Sequence, residues 1–277
     1  MVQTMGSTSA ELSAAFWERA ERLTALRRDE QKQMQEYVQL EDRHMEFLIE
    51  ALDGDPSNYR QPKLKPLPKT VDEALVRKAV TFLRRSSLPL DPRKMWPAGG
   101  LQKMQVKGKI KPEHQAQPGK VLCMWGDAGW GALVRKGKRD GQFSDDLVIA
   151  CVDLIQKWAP KPAPKWVTCV PSLRHPKLVP SFAKRLAIDL GLPFHIVFEK
   201  TDNRPAQKTM ANSHKQAANL DGSLAMNPVE MPTGPVLLVD DMVDSKWTLT
   251  VAAYLLTSSG SGPVHPLALA STAHSDE

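Results

Sequence analysis

The sequence predicts an α/β protein with a Rossmann-like parallel sheet, preceded by a helical and basic N-terminal region. Three observations carry this. After residue 121, short apolar runs of strand type alternate with helical ones, the order that builds a parallel sheet covered by helices. Before residue 55, apolar residues recur at spacings of three and four, the period of a helix face. Between the two lies a stretch dense in Pro, Gly and Lys that holds the positive excess of the chain. Residues 60–120 carry 15 Lys and Arg against 4 Asp and Glu, whereas residues 1–59 carry 6 against 12.

Residues 9–28 read as a first helix. Ser9 or Thr8 caps it, and Glu11 lies in the first turn, where the helix dipole favours a negative charge. Leu12, Phe16, Ala20, Leu23 and Leu26 form a stripe that is expected to pack into a core. A second helix is expected from Asp29 to Leu52, stopped by Gly54 and Pro56. Pro56, Pro62, Pro66 and Pro68 make residues 54–70 an extended linker. A short helix follows over 71–85, then strands and turns without helical period up to Lys120. Beyond that, Trp166–Val170, His195–Phe198, Val236–Val239 and Val264–Ala268 read as strands, and Leu178–Leu190 and Thr248–Ser258 as helices. The expected division is a helical region at 1–54, a linker and small basic module at 55–120, and the sheet domain at 121–277.

The chain has 277 residues, 42% hydrophobic and 25% charged, as globular proteins do. No apolar run approaches the ~18–20 residues that cross a bilayer, so no membrane partner is expected. The first residues lack the basic start and apolar stretch of a secretory signal. Cys123, Cys151 and Cys169 form no CxxC pair, which points to a reducing cytoplasm and not to a disulfide framework. No HExxH, GxSxG or GxxxxGK[ST] pattern occurs, so zincin, nucleophile-elbow and phosphate-loop motor chemistry have no residues here.

The local basic excess suggests a polyanion, with nucleic acid first among the candidates. Lys107-Gly-Lys109-Ile-Lys111 and Arg135-Lys-Gly-Lys-Arg139 read as basic turns, suited to phosphate contact and equally typical of exposed loops. Trp96, Trp125 and Trp130 lie near them, an arrangement that suits stacking on a single strand. Trp125 and Trp130 read more readily as core.

The chemistry concentrates in Val236-Leu-Leu-Val-Asp240-Asp241-Met-Val-Asp244-Ser245-Lys246-Trp247-Thr248. A buried strand ends in paired carboxylates, and a polar loop leads into an apolar helix. Backbone N–H groups at such a helix start cradle phosphate, and Ser245 and Thr248 add hydroxyls. The carboxylates suit vicinal hydroxyls, directly or through magnesium. This segment resembles the signature of type I phosphoribosyltransferases. In that family the acids hold the ribose hydroxyls of phosphoribosyl pyrophosphate, and the following loop holds its 5-phosphate. The resemblance implies Asp240 and Asp241 as catalytic acids that hold magnesium through the ligand, with Asp244, Ser245, Lys246, Trp247 and Thr248 as the phosphate loop. Val170-Pro171-Ser172-Leu173-Arg174 is similar to the family's pyrophosphate loop, which implies roles for Ser172 and Arg174. Lys200 to Gln207, with Asn219 and Gly222, resembles the hood of the ComF-type subgroup, which implies a role for Arg204. Gly131 to Lys138 resembles that subgroup's opening helix and basic turn. The chain departs from the family at Asp244, where Thr is usual, and at Lys246, where Gly is usual.

Taken whole, the chain resembles the C-terminal region of bacterial RecQ-type DNA helicases that carry a phosphoribosyltransferase-like tail. Met34 to Tyr37, His44 to Gly54, Asp91 to Pro97 and Gly126 to Gly131 carry that likeness with the acid motif. It implies an accessory role in nucleic-acid transactions, contacts through Lys103, Lys107, Lys109 and Lys111, and a helicase motor in the same or a neighbouring chain. The alternative is an active transferase using phosphoribosyl pyrophosphate and magnesium. Ordinary RecQ proteins begin a four-cysteine zinc subdomain in the Met34–Gly54 region. Here His44 stands at the first cysteine position and Pro56–Lys63 holds neither Cys nor His, so no zinc is expected.

Overall fold

The computed structural model describes residues 14–60, 62, 70–200, 220–227 and 231–272, and divides after Lys69 into two compact units. The N-terminal unit contains helices α1 (Ala14–Gln39) and α2 (His44–Ala51). The break expected after residue 28 does not occur, because Arg28 and Asp29 are tolerated inside a helix. The chain turns instead at Arg43, whose φ of 59° is left-handed. Tyr37 packs on α2, with ring centroids 5.0 Å from His44 and 5.8 Å from Phe47. Neither helix buries a residue. The stripe Phe16, Leu23 and Leu26, expected in a core, is therefore exposed. Ser9, Glu11 and Leu12 lie outside the described residues.

The C-terminal unit is built on a five-stranded sheet. Its strands are β1 (Leu88–Leu90), β2 (Gly119–Met124), β3 (Trp166–Cys169), β6 (Val236–Val243) and β7 (Val264–Ser271), in the order β1-β2-β7-β6-β3. All neighbours are parallel except β1 with β2. A separate antiparallel pair joins β4 (Phe198–Lys200) and β5 (Leu224–Met226). The helices are α3 (Glu73–Arg85), α4 (Gly131–Asp140), α5 (Asp145–Trp158), α6 (Leu178–Leu190) and α7 (Trp247–Ser258).

Successive side chains of a strand point to opposite faces, and β6 shows what that does here. Leu237 and Val239 join Leu147 of α5 and Phe182 of α6 in one cluster, while Val236 and Leu238 join Val251 and Leu256 of α7 in another. Both faces of the sheet are thus covered, which is why the strand reads as a continuous apolar run. Each fully buried Val or Leu contributes on the order of 1.5–3 kcal/mol.

Several expectations need correction. The boundary expected at 120/121 cuts through β2, and residues 70–120 belong to the same unit as the sheet. The Pro- and Gly-rich stretch lacks a period, yet its apolar anchors Trp96, Leu101 and Ile110 are 5% exposed or less and pack with α7. The Asp221 carboxylate ties this stretch to β5, accepting hydrogen bonds from the N–H groups of Lys103 (2.8 Å) and Met104 (3.0 Å). Arg135 to Arg139 is not a turn but the body of α4. The strand expected at His195–Phe198 starts at Phe198, while Phe194 makes a parallel bridge to Val167 of β3. Strand β2 and helix α5 are not among the elements the sequence reading picks out.

That bridge fixes where the crevice of the sheet lies. From β3 the chain passes through α6 to Phe194 on one side, and β6 pairs on the other side. From β6 it passes through α7 on the opposite face to β7. Connections that leave neighbouring strands in opposite directions part at their carboxyl ends, and the crevice falls between β3 and β6.

Helix α4 is set against this crevice by Asp127. Its Oδ1 accepts from the N–H groups of Gly129 (2.8 Å) and Gly131 (2.9 Å), and its Oδ2 from that of Met124 (3.1 Å). A Cβ on Gly131 would press into the Met124 carbonyl and the Gly126 nitrogen, both backbone atoms. Gly131→Ala is expected to lower stability by about 1–3 kcal/mol, read as a lower urea midpoint. An unchanged midpoint would show that α4 does not need this close approach.

Candidate functional site

A pocket of about 650 Å³ opens at the crevice. Strand β6 stays paired to β7 through Val243, whereas β3 stops opposite Val239, where the Val170 N–H donates to the Val239 carbonyl at 2.9 Å. The acid pair therefore does not end the strand, as the sequence suggests, but sits inside it, along the edge that β3 vacates. Asp241 faces α4 and meets Lys138 at 2.8 Å, the two side chains being 17% and 27% exposed respectively. Asp240, one residue earlier, points to the other face and is 7% exposed. Burial pushes its carboxyl well above the usual range, and the neighbouring Asp241 charge adds to that. The Asp241 N–H, donating to Oδ1 at 2.8 Å, and the Lys138 and Lys200 charges work in the opposite direction.

The loop from Asp244 to Lys246 runs from β6 into α7. Lys246 has a φ of 65°, a left-handed conformation that costs a residue with a side chain roughly 1–2 kcal/mol. This is the position where the phosphoribosyltransferase pattern has glycine, and the backbone takes a conformation that favours glycine while carrying a lysine side chain. The loop is held from below. Arg93 donates through Nε to the Ser245 carbonyl at 2.8 Å, and its guanidinium lies 4.0 Å from the centroid of the Trp247 ring. The first turn of α7 thus lies at the pocket wall, which Thr248 and Leu249 line.

The structure brings Asp240, Asp241, Asp244, Ser245, Lys246 and Thr248 together, and sets Ser172 and Arg174 across from them in the loop after β3. Trp247 is not on the wall but beneath the loop, 3% exposed. Lys103, Lys107, Lys109 and Lys111 are exposed and lie outside the pocket lining. Arg204 lies outside the described residues. Sequence reasoning read Arg135 to Arg139 as a basic turn suited to phosphate contact or to an exposed loop, without setting it beside the acid pair; α4 turns Arg135, Lys138 and Arg139 toward the pocket. The signal was present, since spacings of three and four place these three cations on one helix face. Trp125 and Trp130 are half-buried against the core, and the Arg84 guanidinium lies 4.4 Å from the centroid of the Trp130 ring.

The carboxylate oxygens of Asp240 and Asp241 are hard donors of the kind magnesium takes. Among the described residues no group of three His, Cys, Asp or Glu converges as a metal cage. Oxygens of a bound ligand would therefore have to complete a magnesium shell, and the acid pair fits that arrangement. Among the described residues no helix is long and apolar enough to cross a membrane.

No family model and no curated protein matches the chain. Among solved structures, the adenine phosphoribosyltransferase of Leishmania donovani is 16% identical over 46% of this chain and 66% of its own, with a TM-score of 0.31. The Leishmania tarentolae enzyme is 15% identical over 47% and 72%, also at 0.31. A third adenine phosphoribosyltransferase is 14% identical over 69% and 89%, again at 0.31. The chain spans just under two thirds of the first. Likenesses at this TM-score carry no argument about the site, which rests on its own geometry.

The raised Asp240 pKa has a consequence for stability. A carboxyl whose folded pKa exceeds its unfolded value, about 3.9, supports folding fully below that value and loses the support as pH rises through the folded pKa. Asp240→Asn removes this loss. The variant is expected to melt higher than wild type at pH 8, by roughly 2–4 °C for each kcal/mol relieved, with the gap closing toward pH 4. A variant that melts lower at pH 8 would show that the carboxylate is stabilised in place.

Proposed function

We propose that the pocket binds a ribose phosphate, with Asp240 and Asp241 on vicinal hydroxyls and the Asp244–Thr248 loop on the phosphate. The observation that carries this is the placement of the acid pair and a helix-starting loop on one strand at the sheet's crevice, the loop bent left-handed at Lys246. Apolar burial does not explain two adjacent carboxylates there, since burying such charge is costly even where Lys138 answers Asp241. The arrangement supports the type I phosphoribosyltransferase reading. Arg174 and Ser172, with Arg135 and Arg139 from α4, supply cations and a hydroxyl for a second phosphate group such as a pyrophosphate. Asp240 and Asp241 would be the residues to hold magnesium, which would supply positive charge to offset the phosphate.

Two finer readings belong with this proposal. One is an active transferase that uses phosphoribosyl pyrophosphate, for which pyrophosphate release is the readout. The other is an accessory module for nucleic acid, the tail of a RecQ-type helicase, supported by the exposed Lys103, Lys107, Lys109 and Lys111. Replacing the last three by Ala is expected to weaken DNA or RNA binding and to flatten its log–log salt slope by roughly 0.7–0.9 per lost phosphate contact. An unchanged slope would remove that support.

Calorimetric titration of phosphoribosyl pyrophosphate with magnesium tests the pocket. Asp240→Asn with Asp241→Asn is expected to weaken binding roughly 100-fold or more, because each charged hydrogen bond is worth about 1.5–3 kcal/mol. Asp244→Thr is expected to tighten it several-fold by removing a negative charge near the phosphate. Binding that survives the double substitution, or that Asp244→Thr abolishes in folded protein, contradicts the proposal.

A further inference from the structure

Helix α1 is 26 residues long and buries none of them, yet its large apolar side chains are not scattered. Phe16, Leu23 and Tyr37 fall on one seam position of a heptad, Ala20 and Met34 on the other, and Trp17, Leu26 and Val38 flank the seam. The opposite face carries Glu18, Glu21, Arg22, Arg28, Lys32 and Glu36. Trp17 is 56% exposed, Met34 61% and Val38 75%. An apolar stripe of this length on a surface marks an interaction site.

The middle of the seam says what covers it. Arg27 and Glu30 occupy the two central seam positions, paired within the helix at 2.5 Å. In a parallel pair of α1 helices Arg27 would face Arg27, and Glu30 would face Glu30. Turned antiparallel about the point between Arg28 and Asp29, Arg27 faces Glu30 of the second copy, and Leu23 faces Met34. In the same register the flanking Trp17 faces Val38. The small Ala20 falls opposite the large Tyr37, which leaves room for the contacts of Tyr37 with His44 and Phe47. A two-fold axis repeats every one of these contacts, as an interface between identical chains requires.

We propose that α1 pairs with α1 of a second copy of this chain as an antiparallel coiled coil, and that the protein dimerises through its N-terminal unit. Charge complementarity sets the direction, and the apolar layers on either side supply the area. The inference is independent of what the pocket binds.

Sedimentation equilibrium of the full chain at micromolar concentrations tests it. Wild type is expected to be a dimer. Arg27→Glu alone and Glu30→Arg alone each place like charges in the centre and are expected to weaken association about tenfold or more. Mixed together, the two variants are expected to form a heterodimer. Both have lost the pair within their own helix, so recovery reads the contact between chains. Direction is read by disulfide formation, since the three native cysteines are buried. A Trp17→Cys chain is expected to cross-link to a Val38→Cys chain on mild oxidation. A wild-type monomer, whether α1 is free or covered by its own chain, overturns the proposal. So do single variants that stay dimeric, a mixture that does not recover, and a Trp17→Cys chain that cross-links only to itself.

Discussion

Strand β6 continues to Val243 beside β7 after β3 has stopped opposite Val239, and the pocket depends on that step. It leaves two carboxylates on the edge that β3 vacates, directly after the buried apolar run Val236 to Val239. It also aims the next loop across the gap toward the chain that leaves β3. Had β3 run as far as β6, its backbone would pair along Asp240 and Asp241 and the crevice would not open there. The opposite departures of α6 and α7 keep the gap from being filled by a crossover.

Charge within the site is arranged by competition. Asp241 is answered by Lys138 from α4, while Asp240 is buried deeply enough to be held toward its neutral form. The proposed ligand, with its vicinal hydroxyls, would give Asp240 the polar partner that burial denies it. The loop shows the same economy. Asp244 brings a negative charge to the proposed phosphate site, and Lys246 brings a positive one from a backbone position that favours glycine. Arg93, fixed between the Ser245 carbonyl and Trp247, holds the loop in that conformation from the basic stretch before the sheet. The N-terminal part of this unit is therefore a support for the site and not a spacer.

The sequence made the site legible where local chemistry and strand period coincide. Val236 to Val239 followed by two acids and a helix start is such a place, and Leu178–Leu190 coincides with α6. It was less legible where the structure depends on partners far along the chain. Trp96, Leu101 and Ile110 have no period, and their role appears only against α7. Lys138 faces Asp241 because Asp127 seats α4 on the end of β2, a relation that neither segment carries by itself. The stripe on α1 was read correctly as apolar and helical, but period alone does not say whether such a face packs inward or waits for a partner.

A crystal structure with ribose 5-phosphate and magnesium tests the central claim most directly. The account predicts the phosphate within hydrogen-bond reach of the N–H groups from Ser245 to Thr248, with the ribose hydroxyls on Asp240 and Asp241. A phosphate seated on Arg135 and Arg139, with the sugar away from the acid pair, would contradict it.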